Sequence, residues 1–402
     1  MENVRLYLGE LRIGVPLPFD VYDVDGNSLL RRGYVVKDRE QMERLIERGA
    51  YCSGADAEEI RRNRPAGSGA ILSTLSAPHA ARVTERISVF AMLAETREKF
   101  AALFAAGEGR TIDDATFTAT VSRTTRAIMH ACTLDGDAAI ASILVTRPPR
   151  YFPRQAVNVA IVAEIMLKQL GAAEDERASA VAAALTMNLA MVDLMDMMYS
   201  QATPPTADQR QQVLQHPAAS AQALRARGIA DPVWLSAVAQ HHEAFDGSGY
   251  PSKCKGADIS RPAQVLGLAD RYCAAITERS HRPGVHPNIA LREIFLKHGQ
   301  AIDPALAAVM LREIGIYPPG TVVVLANGEI GLVVRRTLNA NHPVVKALFA
   351  PLGQKYPAPA KRLTSKPVYE IKNVAGRDKV ADIALESLWS DTEVEVDGAA
   401  AG

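Results

Sequence analysis

Hydrophobic side chains recur every three to four residues over the long middle of the chain, which is the spacing of amphipathic helices. Val83, Ile87, Phe90 and Leu93 begin this pattern. From Tyr151 to about Ile316, one helical segment follows another, and glycines and prolines separate them. Strands do not alternate with helices there, so the pattern predicts an all-α bundle.

The two ends of the chain carry β-type patterns instead. Short apolar runs at residues 4–8, 17–24 and 33–36, with an Asp38-capped helix after them, predict a small α+β module. Near the C-terminus, the β-rich segments 321–325, 331–335 and 344–349 surround turn signals such as Asn327-Gly328. The predicted fold is therefore mainly α, with a small N-terminal α+β module and a small C-terminal β appendage.

Composition shifts predict where these parts begin and end. A stretch rich in Gly, Pro, Ser and Arg is typical of a linker, and the last residues are small and acidic, as in a disordered tail. The helical segment after the linker is expected either to pair with its copy in a homodimer or to pack within the chain. The predicted parts are a module (1–55), a linker (56–80), a helical segment (81–150), a helical domain (151–317), a β-rich extension (318–390) and a tail (391–402).

Charge and cysteine usage narrow the class of protein. The 402 residues hold 45 Lys+Arg and 45 Asp+Glu, so a net charge of zero gives no global electrostatic case for binding nucleic acid or an anionic membrane. The four cysteines lack CxxC spacing, which favours reduced thiols. The N-terminus lacks the apolar core of a signal peptide, and the most apolar run, Val181–Val192, is short for a bilayer span. We expect a cytoplasmic protein.

One short segment combines residues that could carry chemistry. His241 and His242 end a predicted helix, and the turn Asp246-Gly247-Ser248-Gly249-Tyr250-Pro251 follows them. Adjacent helical imidazoles point about 100° apart and can converge on metal ions inside a bundle. A glycine-rich turn can approach a phosphate closely. On the histidine pair alone, surface histidines beside a tight turn would be the better interpretation.

The whole string HHEAFDGSGYP, residues 241–251, strongly resembles the signature of HD-GYP domains, which are bacterial helical proteins of the HD superfamily. Active members hydrolyse cyclic di-GMP with two or three metal ions, usually iron or manganese. Residues 262–270 resemble the helix that ends in the family's distal Asp ligand, and His216-Pro217 resembles its isolated His ligand. The resemblance implies a metal-ligand set of His216, His241, His242 and Asp270, and a rim for a ligand or partner at Asp246, Gly247, Gly249, Tyr250, Pro251 and Arg282.

Other positions of the family pattern are altered in this chain. The first His ligand is matched by Gln155, the His-Asp pair by Met187 and Asn188, a carboxylate by Tyr151, and a phosphate-binding Lys by Met191. Two-metal hydrolysis needs an anionic bridging ligand, and an asparagine is neutral. Thioether sulfur also suits iron(II) or manganese(II) poorly. The remaining residues are expected to hold either no metal or a single divalent iron or manganese ion.

These substitutions predict a catalytically impaired HD-GYP protein that acts as a regulatory or scaffolding component of bacterial cyclic di-GMP signalling. The resemblance implies contacts of the GYP region with GGDEF-type diguanylate cyclases or other signalling proteins. Two alternatives stay open: a residual metal-dependent phosphodiesterase, which is a hydrolase, and a receptor that binds cyclic di-GMP without cleaving it. The apolar Met191 and the lost metal charge count against the receptor.

Overall fold

The computed structural model describes residues 3–5, 15–17, 19–22, 28–36, 51–53, 88–104, 112–148, 150–278 and 284–389. The chain divides into two compact units, Met1–Ala81 and Arg82–Gly402. The predicted linker, the predicted helix after Asp38, the acidic tail and Arg282 lie outside the described residues.

Four short strands form an antiparallel sheet in the N-terminal unit, in the order β1-β4-β2-β3. The predicted strand at residues 33–36 is not a strand of this sheet. Gly33 has a φ of 88°, so the chain turns there, and only a single bridge joins Val35 to Pro16. The strands are β1 (Asn3–Arg5), β2 (Val21–Tyr22), β3 (Ser28–Leu30) and β4 (Tyr51–Ser53).

The predicted helical bundle is confirmed in the second unit. Short breaks separate the helices, several of which begin at a side-chain cap such as Asp113 or Asp231. In the described residues the helices are α1 (Val89–Ala102), α2 (Asp114–Leu134), α3 (Gly136–Val145), α4 (Tyr151–Gln169), α5 (Glu174–Thr186), α6 (Val192–Ser200), α7 (Ala207–Ala226), α8 (Pro232–Gln240), α9 (Arg261–Ile276), α10 (Pro287–His298) and α11 (Pro304–Glu313).

Helix α4 lies at the centre of this bundle. Sixteen of its 19 residues are buried, and it packs against α5, α9, α2 and several further helices. A helix that is apolar on almost all sides is stable only when neighbours surround it. Side chains of α1 to α3, such as Phe90, Phe117 and Ile140, belong to the same core, so the helical segment before α4 packs within the chain.

Five antiparallel strands form the C-terminal sheet, in the order β8-β7-β6-β5-β9. Leu332, Val334 and Leu348 join the core of the helices, so one face of the sheet packs on the bundle. Trp389 donates its indole N–H to the Val334 carbonyl and contacts Phe90. The strands are β5 (Val322–Leu325), β6 (Ile330–Arg335), β7 (Val344–Phe349), β8 (Lys355–Leu363) and β9 (Ile371–Val374).

One apolar stretch is longer than the sequence pattern suggested. In the described residues, Glu174–Ser200 is long and apolar enough to cross a membrane, with a mean hydropathy of 1.5 over an 18-residue window. However, 56% of that window is buried inside the fold. It comprises α5, a short 3-10 turn (Leu189–Met191) and α6. A core helix of a soluble protein has these properties too, because burial against other helices also selects apolar residues.

Candidate metal centre

Several helices bring the sequence-predicted site residues to one region of the bundle. Gln155 lies on α4, Asn188 follows α5, His216 lies on α7, His241 and His242 follow α8, and Asp270 lies on α9. Helices α4, α5, α8 and α9 pack on one another, as do α7 and α8. Ser220, one turn after His216, accepts a hydrogen bond from the backbone N–H of Ala190, which ties α7 to the turn after Asn188.

His216 and His241 face each other through their Nε2 atoms, which are 3.0 Å apart. The Nδ1 of His216 lies 2.6 Å from the Val213 carbonyl oxygen, and the Nδ1 of His241 lies 2.7 Å from that of Val238. A carbonyl oxygen only accepts, so each Nδ1 carries the proton and donates it. Each neutral ring therefore points a bare Nε2 lone pair at the other.

His242 completes a group of three imidazoles. One ring nitrogen of each lies within 4.8 Å of the others, and His216 and His241 are buried while His242 is half-buried. Burial lowers the pKa of all three rings, and the neighbouring imidazoles lower the pKa of His241 and His242 further. The three rings are therefore neutral at pH 7, which is the state in which an imidazole binds a metal.

This arrangement fits one divalent cation. Facing lone pairs repel unless something positive lies between them, and the lowered pKa values disfavour a shared proton. Metal–nitrogen bonds of ~2.0–2.1 Å place neighbouring ligand nitrogens roughly 3–3.5 Å apart, and ligating histidines commonly donate their other N–H to a backbone carbonyl. His216, His241 and His242 would hold such an ion.

Asp270 has a different environment from the one expected for a distal metal ligand. Its Oδ1 accepts a hydrogen bond from Gln155 Nε2 at 2.8 Å. Gln155 is almost fully buried, and its own Oε1 has no hydrogen-bond partner. The carboxamide thus takes up one of the two carboxylate oxygens. Together with the neutral Asn188 and the apolar Met187, this leaves a residue set that does not fit a second ion.

The remaining altered positions are packed rather than charged. Met187 is fully buried in the core, and Met191 packs against it while partly exposed. Tyr151 is buried and stacks on Tyr199, with ring centroids 4.9 Å apart and an angle of 8°. Asn188 is buried, and its Oδ1 has no partner, so this neutral oxygen is the only polar acceptor that the former His-Asp pair still offers.

The rim loop Asp246–Pro251 is held from beneath by Glu243, which the sequence pattern did not single out. This buried carboxylate accepts hydrogen bonds from the backbone N–H groups of Ser252 at 2.6 Å and Cys254 at 3.0 Å. A Cβ on Gly249 would lie 2.3 Å from the Ala244 nitrogen, so only glycine fits there. Tyr250 stacks on His242 with ring centroids 4.7 Å apart, which joins the loop to the histidine group.

Two further residues near the site were missed. Asp196 is half-buried, forms an ion pair with Arg150, and accepts a hydrogen bond from the backbone N–H of Phe152 at the start of α4. Arg271 is half-buried, and burial lowers its pKa although the negative charge of Asp270 acts in the opposite direction. For Arg271, the available signal was its place directly after Asp270.

Gly267 allows α9 to approach the histidines closely, and replacing it gives a testable stability change. A Cβ at this position would lie 2.4 Å from the His241 carbonyl oxygen. Gly267→Ala is therefore expected to reduce the free energy of unfolding by about 1–3 kcal/mol, measured by urea denaturation, because a backbone atom cannot move aside easily. The matched control is Gly299→Ala, where a Cβ meets nothing within 4 Å. Equal stability of the two variants would contradict this close approach.

Comparisons with known proteins agree with this framework. Residues 138–306 match the family model described as HD domain. The chain is similar to cyclic di-GMP phosphodiesterase PA4108 of Pseudomonas aeruginosa, with 28% identity over 153 residues, which is 37% of this chain and 34% of that protein. It is also similar to the cyclic di-GMP phosphodiesterase response regulator RpfG of Xanthomonas campestris pv. campestris, with 26% identity over 152 residues, or 38% of this chain and 40% of that protein. The chain therefore spans about a third to two fifths of these relatives.

Among solved structures, Bd1817, an HDG"Y"P protein from Bdellovibrio bacteriovorus, is 14% identical, with a TM-score of 0.47 over 77% of this chain and 98% of that one. The helical bundle and the matched region define an HD-domain protein, a class that typically binds divalent metals. More narrowly, the HHEAFDGSGYP string and the cyclic di-GMP phosphodiesterase relatives identify this region as an HD domain of the HD-GYP family.

Proposed function

We propose that this chain is a cytoplasmic, catalytically impaired HD-GYP protein, which regulates cyclic di-GMP signalling through protein contacts rather than by turnover. The observation that carries this proposal is the hydrogen bond of 2.8 Å from Gln155 Nε2 to Asp270 Oδ1. Active members of the family use charged ligands to hold a second ion. In this chain the amide of Gln155 bonds to the distal carboxylate, and the neutral Asn188 stands at the position of the bridging Asp.

The neutral residues at the site support catalytic impairment. Two divalent ions ~3.5–4 Å apart repel strongly in a buried site, and an anionic bridging ligand has to offset that repulsion. Asn188 offers only a neutral oxygen, and Met187 offers no nitrogen. The chain therefore lacks the charge that would hold two ions and lower the pKa of a water between them.

A residual hydrolase is the second candidate, and the facing Nε2 atoms of His216 and His241 favour it. One divalent ion bound there would act as a Lewis acid toward a phosphoryl oxygen. The three histidines would orient it, and the unpartnered Asn188 Oδ1 is a neutral oxygen in the neighbouring turn. The histidines and Asn188 are all neutral and do not provide the negative charge of an active two-metal centre, so any hydrolysis would be slow.

The rim loop supports the proposed protein contacts. Asp246 and Ser248 are exposed, and Asp246 Oδ1 accepts hydrogen bonds from the backbone N–H and the hydroxyl of Ser248, which lower its pKa. With Glu243 fixing the following residues, the loop presents the charge of Asp246 from an ordered backbone that loses little conformational entropy on binding. We propose a GGDEF-type diguanylate cyclase domain as the partner.

Removal of one charge tests this contact. Asp246→Asn keeps an acceptor oxygen for Ser248 but removes the negative charge, so association with a purified GGDEF domain from the same genome is expected to slow several-fold, with a weaker salt dependence, in biolayer interferometry. Asp208→Asn, at an exposed site on α7, is the matched control and should leave the rate unchanged. No saturable binding by the unaltered chain, or equal rates for both variants, would contradict the proposed contact.

Calorimetry distinguishes the receptor alternative. Cyclic di-GMP titrated to about 100 μM into the chain with its metal bound is expected to give no heat of binding, because Met191 supplies no charge for phosphate. Saturable heat at that concentration would favour the receptor over the regulator.

A further inference from the structure

A cavity separate from the histidine centre lies between the helices and the C-terminal sheet. Its volume is about 640 Å³, and α3, α4, α6, the start of α10, β5 and the segment after β9 all contribute to its walls. Neither the three histidines nor Asp270 lines it. This volume is within the range of ~300–1,000 Å³ found for small-molecule sites.

Arginines from different elements meet in this cleft. Arg154 of α4 and Arg377, which follows β9, are half-buried, and Arg147 lies after α3 at a more exposed position. Arg147 pairs with Glu278 at 2.9 Å. In the described part of the chain, neither Arg154 nor Arg377 forms an ion pair with a carboxylate. Burial and the repulsion of Arg147 lower the pKa of Arg377, which indicates like charges held together.

A third unpaired arginine lies near the helical wall of the cleft. Arg97 on α1 is 4% exposed and donates through Nη2 to Ser142 Oγ on α3 and Asn158 Oδ1 on α4, both at 3.1 Å. Its Nε and Nη1 have no partner, and burial together with the charge of Arg154 lowers its pKa to about 10. Ser142 and Asn158 lie one turn from Thr146 and Arg154, which line the cleft. Burying a cation without a counterion costs free energy, so a bound anion would stabilise this surplus of positive charge.

The acidic residues in the cleft do not cancel this charge. Glu278 is already paired with Arg147, and Asp378 is exposed and lies 3.7 Å from Lys379. Glu386 lies close enough to raise the pKa of Arg377 but makes no ion pair with it. The N-terminus of α10 also lines the cleft at His286 and Pro287, and no side chain caps it, so its free backbone N–H groups add partial positive charge.

We propose that this cleft binds a small phosphate-bearing anion, held between Arg154 on the helical wall and Arg377 on the sheet side, with Arg147 at the rim. Guanidinium groups bind phosphate through paired N–H donors. Two guanidinium groups from different walls can bind one phosphate or two linked phosphates. The volume leaves room for a nucleoside beside the phosphate. The site uses the C-terminal extension and goes beyond the function proposed above.

Calorimetry with named probes tests the proposal on the whole chain. Inorganic phosphate, pyrophosphate and GMP are titrated separately at low salt into the unaltered protein and into Arg154→Gln and Arg377→Gln. At least one probe should bind saturably, and each variant should weaken it about tenfold, because each removes one charged hydrogen-bonding partner. Arg123→Gln, at an exposed arginine on α2, is the matched control and should bind as the unaltered protein does.

The results of these titrations can be distinguished from those of the metal-binding measurements. Tighter binding of GMP than of pyrophosphate supports a nucleotide as the ligand, and the reverse supports a free phosphate compound. Because Arg377 lies at the start of a short 3-10 turn outside the helical core, its variant keeps the test valid even if Arg154→Gln lowers stability. Absence of saturable binding for all three probes, or binding that both variants leave unchanged, would overturn the proposal without affecting the metal content of the protein.

Discussion

The 402-residue chain, loaded with Mn²⁺ or, under anaerobic conditions, with Fe²⁺ and then desalted, is expected to retain about one metal ion per chain and not two. The three neutral imidazoles at His216, His241 and His242 provide one set of converging nitrogens. The carboxamide of Gln155 takes up one oxygen of Asp270, and the neutral Asn188 offers no negative charge to a second ion. Elemental analysis against protein concentration measures the ratio.

Variants make this result specific to the histidine group. His216→Ala removes one of the two facing Nε2 atoms and should reduce the retained metal to about zero, because two imidazoles alone hold a divalent ion weakly. His130→Ala, at an exposed histidine on α2, should retain the full amount. Two ions per chain would contradict the account of Gln155 and Asn188. A chain that retains none would contradict the assignment of the facing nitrogens and exclude the residual hydrolase.

Restoring the His-Asp pair alone is expected to fail. In Met187→His/Asn188→Asp the bridging carboxylate and one imidazole return, but Gln155 still donates its Nε2–H to Asp270. The rate of cyclic di-GMP hydrolysis with Mn²⁺ should therefore stay near that of the unaltered chain. Adding Gln155→His frees Asp270 and supplies the missing imidazole, so the triple variant should gain at least about 100-fold over the double variant, the scale typical of a recovered electrostatic contact.

The metal content of the double and triple variants shows whether low hydrolysis results from a missing second ion. The double variant should retain about one ion per chain and the triple variant about two. Met187→Leu/Asn188→Ala is the matched control, because it perturbs the same buried positions without adding ligands. Full activity of the double variant would show that Gln155 does not occupy the position of the first histidine ligand.

The fold was predictable where the hydrophobic pattern is strong. The helical middle and strands β5 to β7 were confirmed within a few residues, because their apolar residues are buried, those of the strands on both faces of the sheet. Strand β8 was missed, since its sequence KYPAPAKRL has two prolines and is largely exposed, and only its pairing with β7 makes it a strand. The strand predicted at 33–36 was wrong because Gly33 turns the chain.

The candidate site was predictable only where its residues are close in sequence. The string at 241–251 indicated the histidine pair and the rim together. The hydrogen bond between Gln155 and Asp270 joins residues 115 positions apart, and no local pattern predicts it. The role of Glu243 beneath the loop and the unpaired Arg97 behind the cleft also depend on tertiary contacts. Sequence identified which side chains are present, whereas packing determines which of them remain available.

The initial rate of cyclic di-GMP hydrolysis by the unaltered chain, loaded with Mn²⁺ or Fe²⁺, tests the central claim most directly. The assay runs beside the PA4108 phosphodiesterase of Pseudomonas aeruginosa under the same conditions, with the His216→Ala variant as the background. We expect a rate at least about 100-fold below that of PA4108, because the charged ligands of a two-metal centre are lost. A rate comparable with PA4108, abolished in His216→Ala, would contradict this expectation.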